Sequence, residues 1–162
     1  MNKHAYALTC AALTTLTLAA PLPASLTGQW TSGYSSAGLP APMEYYNPQT
    51  GRFSDASGVL RSLKLNADGT YESVDLMTVT TTGCTSKVFV HARGKVILNG
   101  TVIEFLPQDS LSAGYTCTPS RAYEKRGQVS ASKKHWHIDS SSGKPVLVLS
   151  TPGGGTSRYD FR

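Results

Sequence analysis

Charge is scarce in this sequence. Of its 162 residues only 15% are Asp, Glu, Lys or Arg, well below the quarter usual for soluble domains, which excludes a coiled coil and a charge-rich disordered chain. Histidine is scarcer still, at four, and cysteine numbers three. No stretch carries convincing helical periodicity. There is no GxSxG elbow, and Gly153-Gly154-Gly155 is followed by neither the Lys-Ser/Thr of a P-loop nor a helix pattern, so it reads as a hairpin loop. The chain is too short for a TIM barrel or a two-domain nucleotide enzyme and long enough for one ordinary domain. Lys and Arg exceed Asp and Glu by 15 to 10, a net +5, but the excess is spread along the chain. That spread argues against nucleic acid and suits a small anionic substrate or an acidic surface.

The first organised feature is N-terminal. Lys3 precedes an uncharged stretch, AYALTCAALTTLTLAA, and Pro21 to Ala24 supplies helix-breaking and small residues. This is a secretory signal peptide in outline, over residues 1–24, with a retained N-terminal anchor as the alternative. The apolar stretch contains four Thr and falls short of the ~20 apolar residues of a membrane span. Cys10 sits inside it. The expected domain is therefore residues 25–162, exported to the periplasm or cell envelope, with two cysteines left. Cys84 and Cys117 are most simply a structural disulfide in an oxidising compartment; a metal-bound thiolate is the weaker alternative, since CxxC spacing is absent.

Beyond residue 24 the pattern is period two broken by turn chemistry. Strands are expected at Leu26 to Tyr34, Val59 to Leu65, Thr70 to Thr80, Lys87 to Leu98, Thr101 to Leu106, Tyr123 to Val129, His135 to Ile138, Val146 to Ser150 and Ser157 to Phe161. Asn66-Ala67-Asp68-Gly69 is a turn, and Asn99-Gly100 is the strongest hairpin signal, read as type I′ with Leu98 facing Thr101. Eight or nine short antiparallel strands favour an all-β fold, a closed or nearly closed barrel of lipocalin-like or Greek-key connectivity, or a sandwich. Ser35 to Ser57 is too long and too rich in Pro, Gly and Tyr for an ordinary connection. It reads as a lid, a partner-binding loop, or a packed cover for one barrel end.

The histidines are the chemically pointed residues. In His135-Trp136-His137 the two imidazoles project from one face of a strand, with Trp136 and Ile138 on the other. Across the Asn99-Gly100 hairpin, Val96, Leu98, Ile103 and Phe105 form the apolar side, which leaves His91, Arg93, Lys95 and Glu104 on the other. All three histidines are thus expected on the outer, solvent side of the wall. Neutral imidazoles suit Cu or Zn, with Cu favoured by intrinsic affinity. A shared site needs the two strands to be neighbours, which a Greek key allows and a strict up-and-down meander does not. Arg93, with Lys133 and Lys134, is the candidate guide for an anionic substrate.

Gly28-x-Trp30, Tyr46-Asn47-Pro48-x-Thr50-Gly51, Asp68-Gly69-x-Tyr71 and the later Cys resemble a pattern in small exported bacterial proteins of lipocalin-like build. The HxH pair, the further His and the cysteine pair resemble exported copper and copper/zinc superoxide dismutases, and more closely the copper-only superoxide dismutases of the Deinococcus cell envelope associated with its S-layer. That resemblance implies His91, His135 and His137 as copper ligands, Cys84–Cys117 as the disulfide, and superoxide as the substrate. It departs from the copper/zinc enzymes in having no bridging His and no His/Asp zinc site. Three other readings compete: a lipocalin-like module with an apolar ligand, a structural envelope component docking an S-layer or outer-membrane protein through the Ser35 to Ser57 loop (Tyr45 and Tyr46 as anchors) or the N-terminal segment, and a hydrolytic three-His zinc site.

Overall fold

Short alternating segments cannot bury an apolar face alone, and here they do so by closing on one another. The computed structural model describes residues 21–35 and 45–162. The strands are β1 (Gly28–Ser35), β2 (Tyr46–Asn47), β3 (Arg52–Phe53), β4 (Gly58–Leu65), β5 (Thr70–Thr81), β6 (Cys84–Asn99), β7 (Val102–Thr116), β8 (Tyr123–Arg126), β9 (Ser132–Asp139), β10 (Val146–Ser150) and β11 (Thr156–Phe161). Eight of them close an antiparallel barrel in the order β1-β4-β5-β6-β7-β9-β10-β11 and back to β1, with β8 added beside β7. The barrel is therefore an up-and-down meander, neither a Greek key nor a sandwich.

One end is filled by side chains. Trp30, Leu26, Ile103 and Leu147 are each fully buried, packed with Leu22, Leu63, Leu65, Tyr71, Val96, Phe105 and Leu149. Fully burying a side chain of this size contributes about 1.5–3 kcal/mol. The Trp30 indole N–H donates to the Leu26 carbonyl at 2.8 Å, so the strand is tied to the segment that leads into it. Residues 1–20 of the expected signal segment lie outside the described residues. Its last part does not: Leu22 is 6% exposed, and its N–H donates to the Ala67 carbonyl at 3.1 Å.

The β6–β7 hairpin departs from the expected register. Asn99 faces Val102 and Leu98 faces Ile103, so the two-residue connection is Gly100-Thr101. Gly100 has φ +59° and Thr101 keeps a negative φ, the pattern of a type II′ turn with glycine first. The strand β9 grips this turn, since Trp136 N–H donates to the Thr101 carbonyl at 2.8 Å and its indole to Gly100 at 3.2 Å. Because the slip is by two residues, each side chain keeps its expected face. Farther along, β7 carries an extra residue opposite Arg93/Gly94. A Cβ on Gly94 would run into the Leu106 carbonyl, so glycine is what lets the bulged backbone approach.

β6 and β7 extend well beyond the base of the barrel, and Cys84 and Cys117 are disulfide-bonded at their far end. There a second core forms on the outer wall. Tyr45, Tyr46 and Ala56 bury Leu60, Val74, Leu76, Phe89, Leu111 and Ala113. The described part of the long loop thus covers a wall, not a barrel end; residues 36–44 lie outside the described residues. Lys87, 8% exposed, donates to the Ser54 and Ala56 carbonyls, and burial lowers its pKa. The Tyr46 hydroxyl donates to Glu124 Oε2 on β8 at 2.7 Å. Burial, then that hydrogen bond to a carboxylate, pushes the phenol up to about 12.

Two predictions follow from these cores. Leu26→Ala should cost about 2–5 kcal/mol and reduction of the disulfide about 3–4 kcal/mol, both read as denaturant midpoints, while Ile97→Ala on the exposed face stays within about 0.5 kcal/mol. A raised phenol binds its proton more tightly folded than unfolded. Its contribution is therefore complete below pH 10 and lost as the pH climbs through about 12. In Tyr46→Phe that part of the alkaline decline in stability should vanish, and an unchanged decline would refute the assignment.

Candidate metal centre

On β9 the alternation places Trp136 and Ile138 against the barrel core and leaves His135 and His137 exposed on the outer face. His135 sits across from Val102 of β7 and Ser150 of β10, and His137 across from Val148 of β10. Neither ring has a hydrogen bond or ion pair among the described residues. Two carboxylates on this face, Glu104 and Asp139, are engaged by cations. Glu104 pairs with Lys133 at 3.5 Å, and Asp139 accepts from Arg158 at 2.6 Å and from the Ser141 hydroxyl at 2.7 Å. Those hydrogen bonds, Ser141 first, hold the Asp139 carboxyl well below the usual carboxylate range.

His91 is elsewhere. It shares the outward side of β6 with Arg93, as the hairpin alternation predicts, but its side chain is only 16% exposed and lies at the margin of the second core beside Phe89. Its Nε2 is 2.8 Å from Glu72 Oε1. β7 lies between β6 and β9, and its partner residues for the two histidine strands are Leu111 for His91 and Val102 for His135. Those positions are roughly 30 Å apart along β7, at about 3.3 Å per residue. The structure therefore brings His135 and His137 together and does not bring His91 to them. A hydrolytic site requiring all three imidazoles is likewise not assembled.

The expected cationic guides are dispersed by the same topology. Arg93 is held by Asp109 of β7, with N–O distances of 2.8 and 3.0 Å, on the His91 side of the barrel. Lys133 is outward and paired, while Lys134, two residues before Trp136 on the inward side, lines the barrel cavity. Tyr45 and Tyr46, the expected partner anchors, are 2% and 4% exposed and belong to the second core. The chain matches no known protein family, no curated protein and no solved structure. Among the described residues no helix is long and apolar enough to cross a membrane, and no group of three or more His, Cys, Asp or Glu is arranged to hold a metal ion.

The wall therefore presents two exposed imidazoles, His135 and His137, on one face of β9. Sequence reading located the pair through its i, i+2 spacing. That Lys134 meets Arg61 and Asp75 at the barrel mouth was not legible, because inward-facing charges read like the ordinary polar side of a strand. The pair makes a spectroscopic prediction: substoichiometric Cu(II) should broaden the imidazole NMR signals of His135 and His137 and spare that of His91. Equal broadening of all three would show that the rings converge in solution.

Proposed function

We propose that this protein is an exported, copper-binding barrel whose metal sits at His135 and His137 on the outer wall and acts on superoxide. The observation that carries this reading is the pair itself: two adjacent imidazoles, exposed on one face and without a partner among the described residues. Copper is favoured over other divalent first-row metals by imidazole donors. With only two protein ligands, open positions remain for a small anion. Held by His135 and His137, copper would supply the one-electron redox chemistry that disproportionation of superoxide to dioxygen and hydrogen peroxide requires. The protein's part is to fix the two rings on a rigid strand, which the inward packing of Trp136 and Ile138 does, and to keep the surrounding carboxylates neutralised by Lys133 and Arg158.

The test is copper content and superoxide disproportionation measured together. The full chain should retain one copper after dialysis and consume superoxide, His135→Ala/His137→Ala should lose both properties, and His91→Ala should keep both. Absence of retained copper, or dismutation that persists in the double variant, would overturn the reading. Loss of copper in His91→Ala would replace the two-histidine site with the three-histidine one.

A further inference from the structure

The upper halves of β4 to β8 have two faces, and among the described residues only the outer one is covered. On the inner side, strand register lines up successive rows across the sheet. Leu63 and Tyr71 belong to the barrel core, and alternation carries that same face upward through Arg61 and Val59 on β4, and through Asp75, Met77 and Val79 on β5. Val59 faces Met77, Met77 faces Val88, Val88 faces Gly114, and Gly114 faces Tyr123. A Cβ on Gly114 would strike the Tyr123 ring, so that ring lies over the glycine. Val59, Met77, Val79 and Tyr123 are 43, 43, 45 and 41% exposed. They are four of the six exposed large hydrophobic residues among those described. The row crosses five strands, roughly 19 Å at about 4.8 Å per strand.

Directly below runs a charged layer. Arg61 Nε lies 3.8 Å from Asp75 Oδ1, and Arg61 also donates to the Ser157 hydroxyl at 3.3 Å. Lys134 reaches the same level from β9 without an ion pair among the described residues, although its charge acts on Asp75. Two cations thus face one carboxylate. The Asp75 side chain is more than half exposed, and partial desolvation by the protein atoms around it raises its pKa. Opening at this layer is a half-open cavity of about 170 Å³, lined by Tyr71, Ser73, Asp75, Ser132, Lys134 and Tyr159 among others.

We propose that the barrel mouth binds a single-chain amphiphile with an anionic head, of the fatty-acid class. Its carboxylate sits at the cavity entrance between Arg61 and Lys134, and its acyl chain lies along the Val59–Met77–Val88–Tyr123 row. Two observations select this occupant over a second copy of the chain or a partner protein. The uncovered apolar surface is a narrow row of a long acyl chain's length, not a broad patch, and it ends at a hydroxyl-lined cavity of head-group size whose mouth carries Arg61 and Lys134 against the one carboxylate of Asp75. The site lies inside the mouth and shares no residue with the His135/His137 pair on the outer wall.

The test is a titration of the full chain with cis-parinaric acid, a fluorescent polyene fatty acid, beside its uncharged methyl ester. The acid should bind saturably, one per chain, at least tenfold more tightly than the ester. Lys134→Ala should weaken the acid at least fivefold and leave the ester unchanged, and Met77→Glu should weaken both at least tenfold without altering the circular dichroism spectrum or Tm. His135→Ala/His137→Ala should bind the acid like the parent chain, which separates this result from the fate of the copper site. Unsaturable binding, or affinities indifferent to both mouth substitutions, would overturn the proposal. So would a dimer in sedimentation that Met77→Glu dissociates, since the row would then be an interface between copies.

Discussion

The structure depends on the long antiparallel pairing of β6 with β7. The two strands stay paired from Asn99 opposite Val102 to Ser86 opposite Thr116, with a one-residue shift of register at the bulge and a disulfide at the far end. That ladder is longer than the height of the barrel it helps to close. At its lower end β7 is flanked by β6 and β9, which completes the barrel. At its upper end it is flanked by β6 and β8, and the sheet continues past the mouth. Two faces of an extended sheet then need solvent or a cover. The outer one receives the β2–β3 hairpin, with Tyr45 and Tyr46, and no described segment covers the inner one above the cavity.

This arrangement explains the change of phase in the burial of β6. In its lower half Ala92, Gly94 and Val96 are buried, and in its upper half Lys87 and Phe89 are. The strand does not turn over. The lower residues face the barrel interior and the upper ones face the hairpin, so the covered side changes while the alternation of side chains continues without a break. His91 lies at this crossover, its imidazole engaged by Glu72. The same ladder carries His91 up one side of β7 while β9 pairs only with the lower end, which separates it from His135 and His137.

Charge is sparse and much of it is neutralised locally. Arg93 with Asp109, Lys133 with Glu104 and Arg158 with Asp139 are cross-strand pairs on the outer wall. Such exposed pairs contribute little to stability, but they fix which groups remain available. The pair of imidazoles on β9 and the cationic excess at the barrel mouth are among the polar groups that this pairing leaves over.

The sequence by itself determined the local quantities. Period-two alternation marked the strands, His135 and His137 were placed on one face by their spacing, Trp136 and Ile138 were placed inward, and the cysteine pair indicated the disulfide, because each of these depends only on near neighbours or on simple counting. Tertiary structure alone decided the rest. Whether His91 could join the other histidines depended on the strand lying between them and on which end of it each partner uses, and nothing in the local pattern encodes that. The role of Tyr45 and Tyr46 depended on an apolar wall built from four distant strands. The hairpin slip coincides with a hold on the turn from β9, whose Trp136 donates to the Thr101 and Gly100 carbonyls. An even slip preserves every face, so the local reading survived it, whereas the assembly of a site across strands required the global register.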